Sequence, residues 1–158
     1  MKLVKFFSLS LVALLALVSC GGGETTAPFG VYFDGELVAD KATITVSELD
    51  AMLMEMPFYF MIENESNKSF SVNITEKRNY DFNKFSSSLC INECLPGNGE
   101  ETQVWTVENL ASGLAQEIQY HLEAKDNAPA KAEVLFTVSN GDYSISFTVI
   151  FDYPGVNE

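Results

Sequence analysis

Apolar and polar residues alternate with a period of two over most of the chain beyond residue 28. The alternation is regular in Phe70–Ile74 and Ile118–Leu122, and it is clearest from Tyr143 to Phe151. This period places successive side chains on opposite faces of a strand, so these segments are predicted to be half-buried antiparallel strands. Asp34-Gly35 and Asn140-Gly141 are predicted to turn two hairpins, because both dipeptides favour the backbone conformations of tight turns.

Seven to nine short strands at regular spacing predict an all-β fold, an immunoglobulin-like antiparallel β-sandwich. We expect this domain to span residues 28–152 and to be followed by a tail, residues 153–158. Large apolar side chains at core-facing positions supply its interior. The aromatic residues expected in the core are Phe58, Phe60, Phe136, Phe147 and Phe151.

Two segments have no clear period. Ser47–Met56 is compatible with a helical turn capped by Ser47 and ended by Pro57, but entry into a strand is favoured. Residues 79–101 are polar and irregular and include Pro96-Gly97-Asn98-Gly99, and they are predicted to be the longest loop. Binding residues concentrate in loops, so a site is expected there first.

The N-terminus has the features of a secretory signal. Lys2 and Lys5 precede the apolar run Phe6–Val18, which is too short to span a bilayer comfortably and is followed by Ser19-Cys20. Residues 1–19 are therefore predicted to be a cleaved helical signal peptide, and residues 20–27 a flexible, glycine-rich tether. An ordinary secretory signal with a chance cysteine is the alternative.

The ending Leu17-Val18-Ser19-Cys20 resembles the lipobox of bacterial lipoproteins. The resemblance implies lipid, such as palmitate, on the Cys20 thiol and anchoring of the domain to a membrane. Several acyl chains make a stable anchor, whereas a single chain is marginal. By the same resemblance Gly21 lacks the aspartate that often retains such proteins at the inner membrane. The outer membrane is therefore expected, on either face.

The charge balance limits the partners. The chain has 9 basic and 22 acidic residues and a net charge of −13, and removal of residues 1–19 would make it more negative. Such a surface argues against nucleic acid and against electrostatic docking on anionic lipid. The expected partners are the membrane, through lipid on Cys20, and an unknown protein or glycan.

Cys90 and Cys94 form an even pair in a chain that is expected to be exported. Exported pairs oxidise, so a disulfide is predicted. Together with His121, the only histidine, the two cysteines could instead act as metal ligands or reactive thiols. His121 is predicted to lie on the polar face of its strand, either solvated or paired with a carboxylate.

Aromatic residues in and near the irregular segment are the remaining candidates for binding. Tyr80, Phe82, Phe85 and Trp105 could stack on a sugar, but packing of this segment against the core is the favoured explanation. The sequence contains no His-Glu-x-x-His, Gly-x-Ser-x-Gly or phosphate-binding glycine loop. We therefore expect no catalytic residues, no metal, no cofactor and no enzymatic activity.

Five segments carry a resemblance to a known family, and they are Phe60–Ser66, Cys90–Cys94, Tyr120–Leu122, Val134–Asn140 and Ser144–Val149. Their order resembles the C-terminal β-sandwich part of surface lipoproteins of the Bacteroidota, over residues 55–152. That family includes proteins in which the sandwich follows a thioredoxin-like region, which has no counterpart here, so redox activity is not carried over. The resemblance implies a non-enzymatic envelope module that binds or scaffolds. Two alternatives stay open, a thiol-active or metal-assisted accessory and a small-ligand carrier.

Overall fold

The structure, a computed structural model, describes residues 27–156 and contains eleven strands within them. This exceeds the seven to nine that the sequence predicts, because two very short strands add to the regular ones. The strands are β1 (Phe29–Phe33), β2 (Glu36–Leu37), β3 (Ala42–Val46), β4 (Glu55–Asn64), β5 (Phe70–Asn79), β6 (Phe85–Cys90), β7 (Cys94–Pro96), β8 (Thr102–Leu110), β9 (Ala115–Ala124), β10 (Ala130–Ser139) and β11 (Ser144–Tyr153).

The strands form two sheets, one of six strands in the order β2-β1-β4-β9-β6-β7 and one of five in the order β3-β11-β10-β5-β8. Neighbours pair antiparallel except β3, which pairs parallel with β11. The predicted immunoglobulin-like sandwich is confirmed, and so are the hairpins at Asp34-Gly35 and Asn140-Gly141. The last strand ends at Tyr153, one residue beyond the predicted domain limit.

The interior between the sheets is filled with aromatic rings. All five aromatic residues predicted for the core are buried, and the rings of Phe136 and Phe147 stack with centroids 5.5 Å apart. Phe60 meets Phe147 edge-on at 5.5 Å, so the two sheets interlock through aromatic contacts. The described residues thus form a filled sandwich. The alternative function, a small-ligand carrier with an internal cavity, requires an open interior instead.

The register defines two ends of the sandwich. The described chain begins beside Phe29, which pairs with Asn64 and contacts Tyr143. Strands of ten residues separate this proximal end from the distal end by about 30 Å. The proximal end consists of residues 27–28, 65–69, 111–114 and 140–143, and the distal end of residues 47–54, 80–84, 97–101 and 125–129.

The prediction of one long loop over residues 79–101 is wrong. β6 and β7 lie within it, and β6 pairs with β9 along its whole length. The central serines Ser86–Ser88 hide the apolar pattern of this strand, because Phe85 and Leu89 are its only members of the hydrophobic core. No helix among the described residues is long and apolar enough to cross a membrane.

Ser47–Met56 forms turns that lead into a strand, as the sequence favours. An isolated bridge joins Asp50 to Glu55, and β4 begins at Glu55. Pro57, expected to end this segment, instead lies inside β4. β1 pairs only with Met61–Asn64 and so does not reach Pro57. One side of β4 is open there, where a residue without an N–H is tolerated.

Candidate functional sites

Three of the four aromatic residues singled out by the sequence line one cleft at the distal end, with a volume of about 170 Å³. Tyr80 and Phe82 are partly exposed and Phe85 is buried. The Tyr80 ring centroid lies 5.1 Å from that of Phe82 and 5.9 Å from that of Phe85. The structure brings these three rings together, and their role in binding stays a prediction.

One wall of this cleft is polar. The Tyr80 hydroxyl donates to Ser87 Oγ at 3.0 Å, and Lys125 Nζ donates to the Phe82 carbonyl at 2.6 Å. Pockets for drug-sized ligands have volumes of about 300–1,000 Å³. A cleft of this size with aromatic and hydroxyl walls suits one small group, such as a single sugar ring or one side chain.

Trp105 lies apart from this cleft. Its side chain is buried, and its indole Nε1 donates to Glu76 Oε2 at 3.1 Å in the interior. The edge of the residue lines a separate shallow pocket with Leu89 and Leu95. The position of Trp105 is therefore mainly that of a core residue, and a binding role for it stays a prediction.

A buried ion pair between Glu76 and Arg78 escaped the sequence analysis, which followed the alternation of this strand only to Ile74. Both residues lie in β5 and continue the inward register of Val72 and Ile74, with exposed fractions of 0% and 1%. Arg78 Nε and Nη2 donate to the two Glu76 carboxylate oxygens at 2.7 and 2.9 Å. The period of two, extended by four residues, would have placed both charges inside.

The other hydrogen-bonding groups of this pair are also occupied. Arg78 Nη1 donates to Asn98 Oδ1 and to the Glu100 carbonyl, and Nη2 also donates to Gln103 Oε1. Tyr120 Oη donates to Glu76 Oε1 at 2.7 Å from the opposite sheet. A buried charge is tolerated when it is paired and hydrogen-bonded in this way. We interpret this network as structural.

The network alters proton affinities. Burial alone lowers the pKa of Arg78, but the hydrogen bond and the charge of Glu76 outweigh it and raise the pKa above its usual value. Burial, together with the charge of Glu76, raises the pKa of the Tyr120 phenol well above its usual value. Tyr120 therefore stays protonated, and it acts as a hydrogen-bond donor at neutral pH.

The predicted disulfide between Cys90 and Cys94 is confirmed. The two residues face each other in the β6–β7 hairpin, with Cα atoms 3.9 Å apart. Cys90 is buried, whereas Cys94 is exposed. The bond closes the turn at the edge of the six-stranded sheet, on the outer face.

His121 lies on the same outer face, one strand away in β9. Its Nδ1 contacts Glu55 Oε1, so of the two alternatives, a solvated histidine or one paired with a carboxylate, the structure has the second. The Tyr59 ring packs edge-on against the imidazole with centroids 5.8 Å apart. A ring nitrogen of His121 and the two cysteine sulfurs all lie within 4.8 Å of one another. The three residues that the sequence grouped together are therefore neighbours.

Cys20, the predicted lipidation site, lies outside the described residues.

At the distal end the loop before β4 exposes 94% of Met52 and 60% of Leu53. Asp50 Oδ1 accepts the backbone N–H groups of both residues, which fixes this turn. Its two apolar side chains are thereby held towards solvent.

Comparison with solved structures supports the fold. The N-terminal domain of PorA is 17% identical, has a TM-score of 0.61, and the match covers 82% of this chain and 99% of that domain. A FixG-related protein from Vibrio parahaemolyticus is 14% identical with a TM-score of 0.45, covering 82% and 99%. The collagen-binding domain of a Staphylococcus aureus adhesin is 10% identical with a TM-score of 0.44, covering 81% and 99%.

At these identities the comparisons establish similarity of fold alone, and the PorA domain, with the highest TM-score of the three, supports it. No protein-family model matches the chain, and no curated relative matches its sequence. The function must therefore be argued from the geometry of this chain.

Proposed function

We propose that the protein is a lipid-anchored, non-enzymatic binding or scaffolding module of the bacterial outer membrane. The observation that carries this proposal is that the two ends of the sandwich differ. The described chain starts at the proximal end, directly after the predicted lipid-bearing tether. The aromatic cleft and the exposed Met52–Leu53 loop lie at the distal end. A domain anchored through Cys20 would present both features away from the membrane.

The chemistry of the distal end favours a protein or glycan partner. Met52 and Leu53 offer adaptable apolar surface, and methionine is common at surfaces that bind varied partners. Glu48 and Asp50 flank them, in keeping with the acidic chain. The cleft beside Phe82 adds an aromatic wall. A partner with an apolar patch bordered by basic groups would complement this end.

Metabolic labelling with an alkyne fatty acid tests the anchor. Wild-type protein should carry the label and have the intact mass of a chain that begins at lipidated Cys20. Cys20→Ser should abolish the label, whereas Cys90→Ser with Cys94→Ser, the matched control, should retain it. Labelling that survives Cys20→Ser, or an unlipidated wild-type mass, would contradict the proposal.

Photo-crosslinking in intact cells tests which end binds. A photoreactive amino acid at Met52 or Phe82 should form adducts with a partner. The same amino acid at Ser66 or Ser112, in the proximal turns, should form none. Adducts confined to the proximal positions would contradict the proposed orientation, but they would not contradict the lipid anchor.

A further inference from the structure

The corner formed by Cys90, Cys94, His121 and Glu55 has the composition of a metal site. One imidazole nitrogen and two sulfurs within 4.8 Å of one another match the donor set of zinc sites with three protein ligands. Cys90 and Cys94 are separated by three residues in the chain, a spacing found in zinc-binding pairs. The third donor comes from β9, the strand that pairs with β6.

The imidazole is oriented as a metal ligand would be. Nδ1 contacts the Glu55 carboxylate, which favours a proton on Nδ1 and leaves the lone pair on Nε2. Nε2 is buried and has no hydrogen-bond partner among the described residues. Metal-bound histidines usually have this carboxylate partner on the other nitrogen. The unpartnered Nε2 is an independent observation, because a purely structural histidine would be expected to satisfy it.

The sulfurs are bonded to each other in the structure, and a disulfide cannot bind zinc as two thiolates. Cys94 is exposed, so a reductant can reach its sulfur without unfolding the sheet. Attack there breaks the S–S bond and leaves its electron pair on Cys90 Sγ, which is buried beside the histidine. Both sulfurs then lie on hairpin positions that the β6–β7 pairing holds together.

We propose that reduction of the Cys90–Cys94 disulfide creates a zinc site whose protein ligands are Cys90 Sγ, Cys94 Sγ and His121 Nε2. A dithiol reductant supplies two electrons and two protons and becomes a disulfide itself, while the protein gains two thiols. Zinc then binds both sulfurs as thiolates, and the two thiol protons pass to solvent. Glu55 is a positioning residue that holds the imidazole.

This arrangement leaves the fourth position of the ion open. Three protein ligands with one open position distinguish reactive zinc sites from closed structural ones. The corner lies on the outer face of the sheet, so water or a donor from a partner protein can occupy that position. The oxidised and reduced forms of the chain would thus differ in metal binding at one defined place.

Zinc titration of the full chain carrying Cys20→Ser tests the proposal, because Cys90 and Cys94 are then the only thiols. The protein is reduced without oxygen by a phosphine, which supplies two electrons but no thiol ligands. Reduced protein should bind one zinc ion per chain in competition with a chromophoric chelator, and oxidised protein should bind none. Cobalt in place of zinc should give a thiolate-to-metal charge-transfer band.

Substitutions separate this site from a simple dithiol. His121→Gln should weaken zinc binding and change the cobalt spectrum, and Glu55→Gln should weaken binding about 10–100-fold. Glu63→Gln, an exposed carboxylate on the same strand as Glu55, should change nothing. Equal zinc affinity in the reduced parent and its His121→Gln variant would overturn the proposal, and so would no binding by the reduced protein. If reduction unfolds the chain, one equivalent of zinc must restore its circular dichroism, and failure to do so also overturns it.

Discussion

At the scale of single residues, the most unusual feature is a charged pair in a core built of aromatic rings. Glu76 and Arg78 are both buried, yet their polar groups have hydrogen-bond partners. Glu76 is bonded from both sheets, by Trp105 and Tyr120, and Arg78 is bonded by Gln103 of its own sheet and by the loop of residues 97–101. Taking two charges out of water is expensive, and their mutual attraction offsets this only when the geometry is good. The pair is therefore strongly interdependent, and loss of one member leaves the other charge buried alone.

Arg78→Met should lower the free energy of unfolding by about 3–5 kcal/mol, because Glu76 would then be an unpaired buried charge. Urea denaturation followed by Trp105 fluorescence measures this loss directly. Lys77→Met, on the exposed face of the same strand, is the matched control and should have little effect. A loss below about 1 kcal/mol for Arg78→Met would show that the pair is not needed.

At the scale of elements, the alternation predicted the long strands, and the strands without it were missed. β5, β9, β10 and β11 have regular inward and outward positions. β6 does not, because Ser87 points inward and bonds to Tyr80 rather than filling the core. Hydrogen bonding to a neighbour thus replaces the apolar signal on which sequence reasoning depends.

Replacement of Cys90 and Cys94 by serine should lower the stability by roughly 2 kcal/mol, since the disulfide closes only a short loop. The fold should persist, because β6 also pairs with β9. Hydrogen exchange should show faster opening at Leu95 and unchanged protection in β9. Complete unfolding of the double variant would show that the bond supports the whole domain rather than one corner.

Asn64 joins two proximal turns. Its Nδ2 donates to the carbonyls of Lys68 and Leu110, each at 2.8 Å, and its Oδ1 accepts from Ser66. Asn64→Ala should lower the free energy of unfolding by about 2–4 kcal/mol, because the buried hydrogen bond to the Leu110 carbonyl is lost together with the bonds to Lys68 and Ser66. Thermal denaturation against Asn73→Ala, an exposed position in β5, tests this. Equal melting temperatures would refute the role of Asn64.

At the scale of the whole molecule, the sandwich contains tyrosines that resist ionisation. The hydrogen bond to Glu65 and partial burial raise the pKa of Tyr32 to about 12, and burial raises that of Tyr80 and Tyr153. The pKa of Tyr120 is raised the most clearly of the buried ones. A group whose pKa is higher in the folded than in the unfolded state stabilises the fold at pH values below its unfolded-state pKa. This contribution is lost as the pH rises through the folded-state pKa.

The contribution of these tyrosines to stability should therefore be constant up to about pH 10, where tyrosines of the unfolded chain begin to ionise. It should fall as the pH rises further through their folded-state pKa values. Urea denaturation between pH 8 and pH 11.5, together with tyrosinate absorbance of the native protein, measures both effects. Tyr120→Phe should flatten part of this decline. If all tyrosines of the native protein titrate near pH 10 and stability is not lost, the raised pKa values are contradicted.

Local patterns in the sequence determined the long alternating strands, the two tight hairpins, the aromatic core and the cysteine pair, because each depends on neighbours in the chain. The order of the strands and the parallel pairing of β3 with β11 were decided only by the tertiary structure. So were the contacts of Glu55 with His121, 66 positions apart, and of Glu76 with Tyr120, 44 positions apart. A period of two tells which face of a strand a residue occupies, but not which strand lies beside it. Contacts between distant segments form only when packing of the whole core offsets the entropy of closing the loops between them.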